Sequence, residues 1–208
     1  DNDIKAIGMC GHTNIQTPEG QETFRKNLHL AKKLGVSYVT LSTGETHGDE
    51  SVIGDDAELV KIIQDLGAVA KDLGLVMAIE THGNNYATGQ SIIALLKKVN
   101  MPNVRLNYDT GNVVFYGAIM PYEDLDASTG SITGIHLKEK AGAQSEWNFP
   151  AIGRGDLDFD RILKTLKKNG CNAALSIEIE FTPAGPNGVE DVHESLAYSV
   201  DTIKRLSA

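Results

Sequence analysis

The sequence predicts an α/β fold in which parallel strands are joined by helical crossovers. Three observations carry this. Short apolar, β-branched runs alternate with amphipathic segments from one end of the chain to the other. Caps and glycines fall between them, where such elements begin and stop. The 208 residues suit one domain with a sizeable core, taken here as residues 1–208. Two architectures satisfy the alternation, an open doubly wound sheet or a (β/α) barrel. No Gly-x-Gly-x-x-Gly follows the first strand and no Walker A sequence occurs, so dinucleotide and nucleotide binding have no motif behind them.

The elements follow in order. Residues 4–10 (IKAIGMC) read as a strand. Thr17 and Pro18 open a helix as cap and first-turn proline, and Gly35 stops it. Residues 36–41 (VSYVTL) form the second strand, and residues 57–73 an amphipathic helix ending at Gly74. The third strand, 75–80, supplies the apolar start of VMAIETHGNN (76–85) and ends at its glutamate. Thr88 caps a helix over 91–99. Residues 104–109 (VRLNYD) and 132–137 (ITGIHL) are the fourth and fifth strands. A helix over 159–168, a sixth strand over 173–179 (AALSIEI) and a closing helix over 190–206 complete the chain.

Composition narrows the function classes. A formal charge of −9 disfavours nucleic acid, whose phosphates need a basic surface. No apolar run approaches the roughly 20 residues of a membrane span, so no membrane partner is expected. The first residues, DNDIKAIGMCGH, lack the basic and apolar regions of a signal peptide. Cys10 and Cys171 are far apart and are expected to be reduced, buried thiols of a cytoplasmic protein.

Chemistry gathers where strands end. Glu80 ends the third strand, Asp109 the fourth, His136 lies near the end of the fifth, and Glu178 and Glu180 fall on the sixth. In a barrel those ends face one mouth. Three carboxylates clustered there require a positive charge among them, and a divalent cation supplies it. Oxygen donors with one imidazole suit an octahedral ion; Mn²⁺ is expected, with Mg²⁺, Co²⁺ or Zn²⁺ as alternatives. Taken singly, each residue has an ordinary reading: a solvated acid, a packed histidine, an Asp-Thr-Gly-Asn turn. Their joint placement is what argues for a site. Glu45, in a Glu-Thr-His-Gly that recurs at Glu80, follows Ser42-Thr43-Gly44 and is the weaker candidate.

The blocks Ile79-Glu80-Thr81-His82-Gly83, Asp109-Thr110-Gly111-Asn112, Gly134-Ile135-His136-Leu137-Lys138-Glu139, Ile152-Gly153-Arg154-Gly155-Asp156 and Ser176-Ile177-Glu178 together resemble the xylose isomerase-like barrel superfamily of sugar isomerases and epimerases. The resemblance implies a TIM-type (β/α) barrel. Six strands are recognisable, and residues 4–10 resemble the third strand of eight, so two strand-helix units are expected to be lacking. It implies one divalent metal held by Glu80, Asp109, His136 and Glu178. It also implies a metal-stabilised enediolate, formed by removing a proton next to the carbonyl of a ketose or inosose, with Glu80 and Glu178 as the catalytic acids. His82, Asn112, Lys138, Arg154 and Glu180 are the candidate substrate contacts, and Trp147 a candidate apolar wall. A homo-oligomer is a possible assembly. Three alternatives stand beside this expectation: a dehydratase on the same scaffold, a non-catalytic sugar-binding or scaffold protein, and a multi-zinc endonuclease. The last is disfavoured, because Asn112 stands where that chemistry needs a histidine.

Overall fold

The computed structural model describes residues 3–44, 56–180 and 189–207. The strands are β1 (Gly8–Cys10), β2 (Tyr38–Leu41), β3 (Val76–Glu80), β4 (Val104–Asp109), β5 (Ile132–Leu137) and β6 (Ala174–Ile177). The helices are α1 (Pro18–Leu34), α2 (Asp56–Asp72), α3 (Gly89–Val99), α4 (Asn112–Phe115), α5 (Pro121–Ser128), α6 (Phe159–Lys168) and α7 (Val189–Ser207). The strands form one sheet in the order β1-β2-β3-β4-β5-β6, each parallel to the next. A doubly wound sheet reverses its order at a switch point, whereas this one winds in a single direction, as a barrel does. The architecture is a half-barrel of six strands with helices outside.

The strands divide their side chains between two faces. Val39, Leu41, Met77, Ile79, Leu106 and Ile135 are buried in the main hydrophobic core. That core includes Phe24 and Leu28 of α1, Ile63 and Leu66 of α2, Ile92 and Leu95 of α3, and Ile162 of α6. The alternate residues line the concave face. Tyr38 crosses it between two glycines: a Cβ on Gly8 would lie 2.3 Å from its ring, and one on Gly134 3.0 Å.

Helix ends follow the sequence. Thr17 Oγ1 accepts from Gly20 N, and Gly35 closes α1 at φ 73°. Thr88 and Ser91 form a reciprocal capping box at the start of α3. The structure departs from expectation at the sheet margins. β1 is confined to Gly8–Cys10, with Ile4 and Ile7 exposed, and β6 stops at Ile177. Each of these strands has one neighbour in the described sheet, so ladder hydrogen bonds on one side alone define its length. For the same reason Cys10 is exposed and not buried; Cys171 is half-buried, and both thiols are free. The short helices α4 and α5 lie between β4 and β5, where no element was expected. No helix among the described residues is long and apolar enough to cross a membrane.

The sheet carries one irregularity near its strand tips. The register of β4 against β5 shifts between Leu106 and Asn107, after which Asp109 lies opposite His136.

Candidate metal centre

Glu80, the last residue of β3, is buried on the concave face. Its Oε2 lies 3.2 Å from His12 Nε2 and 3.4 Å from His136 Nδ1. Asn107 Nδ2 donates to the same oxygen at 3.4 Å, and Asn112 Nδ2 donates to Oε1 at 3.2 Å. Burial works against this carboxylate's charge, but His12 and His136 outweigh it and hold its pKa well below the usual range.

Asp109 ends β4 and divides its two oxygens. Oδ1 accepts from the backbone N–H groups of Gly111 and Asn112 at 2.9 and 2.8 Å, which turns Asp-Thr-Gly-Asn into the start of α4. Oδ2 is thereby turned inward, 3.1 Å from Lys138 Nζ and 3.8 Å from His136 Nδ1. Thr81 Oγ1 accepts from Asp109 N at 2.8 Å and ties the ends of β3 and β4 together. Glu178 lies just past β6, its backbone N–H donating to Leu137 O at 3.1 Å, and its Oε2 is 2.8 Å from His136 Nδ1.

Glu80, Asp109, His136 and Glu178 thus each offer one ligand atom, and all four atoms lie within 4.8 Å of one another. Three of them, Asp109 Oδ2, His136 Nδ1 and Glu178 Oε2, are buried without a hydrogen bond among the described residues, although Asp109 Oδ2 is ion-paired with Lys138 at 3.1 Å. They stand close without being aimed at each other. Buried polar atoms left this way are costly, and a cation at their common point satisfies them all. The donor set and its geometry therefore fit a divalent metal ion. Burial opposes a charged His136, but the carboxylates of Asp109, Glu178 and Glu80 outweigh burial and hold the imidazole far above its ordinary range.

The remaining sequence candidates divide. Asn112 bridges Glu80 Oε1 and Lys138 Nζ. Lys138 pairs with Asp109, Glu178 and Glu180. His82 is buried near the mouth, its ring 6.0 Å from that of His12 and 5.0 Å from that of Tyr116. Trp147 packs edge-on against Phe115 and Phe149, at 5.2 and 5.0 Å. Arg154 is turned elsewhere: its guanidinium pairs with Glu194 at 3.1 Å and stacks over Tyr198, both on α7. Glu45 lies outside the described residues. Two contributors escaped the sequence reading, His12 and Asn107. His12 stands two residues past β1, so the same strand-end rule that singled out Glu80 points to it. Asn107 carries no signal, being a neutral residue inside a strand.

A family model described as xylose isomerase-like TIM barrel matches residues 3–201. The inosose dehydratase of Clostridium tetani is 29% identical over 149 residues, covering 64% of this chain and 50% of that protein. The inosose isomerase of Bacillus licheniformis is 27% identical over 172 residues, covering 78% and 60%. The chain spans about half the length of the curated relatives it matches. Among solved structures, a xylose isomerase domain protein from Planctomyces limnophilus superposes with a TM-score of 0.77 at 24% identity, over 93% of this chain and 69% of that one. A D-allulose 3-epimerase from Methylomonas sp. gives 0.76 at 21%, over 97% and 76%. The IOLI protein with a binding zinc atom gives 0.76 at 21%, over 98% and 76%. At these identities the structural matches speak for the fold.

Proposed function

Because the chain belongs to the xylose isomerase-like TIM barrel family, we propose that it is a divalent-metal-dependent isomerase or epimerase of a ketose or an inosose, acting by proton removal next to a carbonyl. The observation that carries this reading is the convergence of four ligand atoms from four adjacent strand ends within 4.8 Å. Glu80, Asp109, His136 and Glu178 would hold the ion, with Mn²⁺ as the proposed metal on the chemistry of three oxygens and one imidazole. When bound, the ion supplies positive charge beside the substrate carbonyl and makes the neighbouring C–H more acidic.

The chain's own residues then divide the work. Glu80 and Glu178 are the proton carriers, each with one oxygen toward the metal and one outward. Asn112 orients the outward oxygen of Glu80, and His12 and Asn107 steady its inner one. His82 and the ring group of Phe115, Tyr116 and Trp147 line the approach, where an apolar wall suits the C–H face of a sugar.

A second reading is loss of water after the same proton removal. It draws support from the similarity to an inosose dehydratase, 29% identical over 149 residues.

One experiment tests both readings. The metal-loaded chain is incubated in D₂O with a panel of ketoses and an inosose. Deuterium at a carbon-bound position of an isomeric product supports epimerisation or isomerisation, and an unsaturated or deoxy product supports dehydration. Turnover with the original hydrogen fully retained would argue for hydride transfer and against both.

A further inference from the structure

Lys138 is 2% exposed, in the innermost part of the acidic mouth. Its Nζ lies 3.1 Å from Asp109 Oδ2, 2.9 Å from Glu178 Oε1 and 2.7 Å from Glu180 Oε1, and donates to Asn112 Oδ1 at 3.1 Å. The rest of the residue is fixed as well. Thr110 Oγ1 accepts from Lys138 N at 2.9 Å and donates to Lys138 O at 2.7 Å. The side-chain stem packs on Gly111, where a Cβ would come within 2.8 Å of Cγ. Phe149, 1% exposed, covers the ammonium with its ring centroid 5.2 Å away. A lysine fastened at backbone, stem and head is part of the framework, not an arm reaching for substrate.

These contacts split the two oxygens of Glu178. Oε1 is taken by Lys138, and Oε2 is left facing His136 Nδ1 at 2.8 Å, at the point where the ligand atoms converge. Glu178 is also the one member of the four that lies beyond its strand, so the ladder alone does not orient it. We propose that Lys138 is the positioning residue of the metal centre: by holding the outer oxygen of Glu178 it presents the inner oxygen to the ion, so the ligand set stands assembled before an ion arrives. This rests on the reading of Glu178 as a ligand.

Two physical effects of Lys138 oppose each other, which makes the role measurable. Its positive charge repels a divalent cation, so a residue acting by charge alone would give tighter metal binding when neutralised. A residue acting by orientation gives weaker binding when removed, by roughly 10- to 100-fold for a partner that holds a ligand. The experiment is a calorimetric titration of Mn²⁺ into the metal-stripped chain, as wild type, Lys138→Met, Glu178→Gln and the double variant. The expected result is a loss of about 10- to 100-fold for Lys138→Met in the wild type. In the Glu178→Gln background, where there is no carboxylate left to orient, no loss beyond about threefold is expected. Equal losses in both backgrounds would make Lys138 a general structural residue and overturn the proposal. Tighter binding in Lys138→Met would also overturn it, leaving a counter-charge only. A wild-type chain that takes up no Mn²⁺ would overturn the metal-centre reading itself and this role with it. Should Lys138→Met fail to fold by circular dichroism, Lys138→Ala, which also removes the donor, replaces it in the same cycle with the same outcomes.

Discussion

Asp109 and His136 lie directly opposite one another on β4 and β5, and the register shift between Leu106 and Asn107 is what places them so. Leu106 pairs with Ile132; carried on without the shift, that register would set Asp109 beside Ile135, whose side chain is 1% exposed in the hydrophobic core. A one-residue slip moves a side chain to the opposite face of a sheet. The bulge thus decides whether the acid and the imidazole share a face at all.

Asp109→Asn is the direct consequence. The Asn side chain can still accept the Gly111 and Asn112 N–H groups, so the turn into α4 survives, but the inward donor loses its charge. Mn²⁺ affinity should fall by at least about 100-fold, beyond the range seen for outer-shell changes. Unchanged affinity in a calorimetric titration would remove Asp109 from the ligand set.

Gly134→Ala tests the concave face. The added Cβ would lie 2.5 Å from Asn107 Oδ1 and 3.0 Å from the Tyr38 ring, and Asn107 is a donor to Glu80. Overpacking of this kind costs about 1–3 kcal/mol. Urea denaturation should show that loss, and metal affinity should weaken alongside it; a neutral variant would mean that the face has room to spare.

Asp124 provides a control away from the mouth. Fully buried on α5, it accepts from Gly89 N at 2.6 Å and Gln90 N at 3.1 Å, at the N-terminus of α3. Its replacement by alanine leaves the buried Gly89 N–H and the partly buried Gln90 N–H without that acceptor and should cost about 2–3 kcal/mol. Mn²⁺ binding at native conditions should stay as it was. A change in affinity without a change in stability would contradict the division drawn between scaffold and site.

Glu139 carries a pH dependence. Burial pushes its carboxyl above the usual range, outweighing the backbone N–H groups of Gly153, Lys140 and Leu157 that donate to it. A folded-state pKa raised above the unfolded one means the native protein holds the extra proton. The stability this group contributes is therefore complete below about pH 4.3 and is lost as pH rises through the folded value. The wild type's stability relative to Glu139→Gln should decline between about pH 4.5 and neutrality. Urea melts of both proteins at several pH values measure it, and a rising difference would show that the amide donors prevail.

How far the sequence reached can be read residue by residue. The four strand-end groups were legible because an apolar run meeting an acid or imidazole marks a strand tip, and parallel topology sends all the tips one way. The alternation alone did not choose between a barrel and a doubly wound sheet, since both give it; the motif blocks that resemble the xylose isomerase-like barrels pointed to the barrel, and the strand order agrees. The pairing of Arg154 with Glu194 and Tyr198 on a distant helix was not legible, because a glycine-flanked arginine looks locally like an anion clamp. The fastening of Lys138 was invisible for a similar reason. Its partners come from the ends of two other strands, β4 and β6, and no local pattern records a contact of that range.

The position of β6 at the margin of the described sheet has one more consequence. Glu80, Asp109 and His136 stand on strands hydrogen-bonded on both sides, whereas Glu178 follows a strand that pairs with β5 alone. If these four groups hold an ion as proposed, it would act as a rivet, tying the marginal strand to the frame at a second point beyond its ladder with β5. Amide protons of β6 should then exchange with solvent more slowly in the loaded protein than in the stripped one.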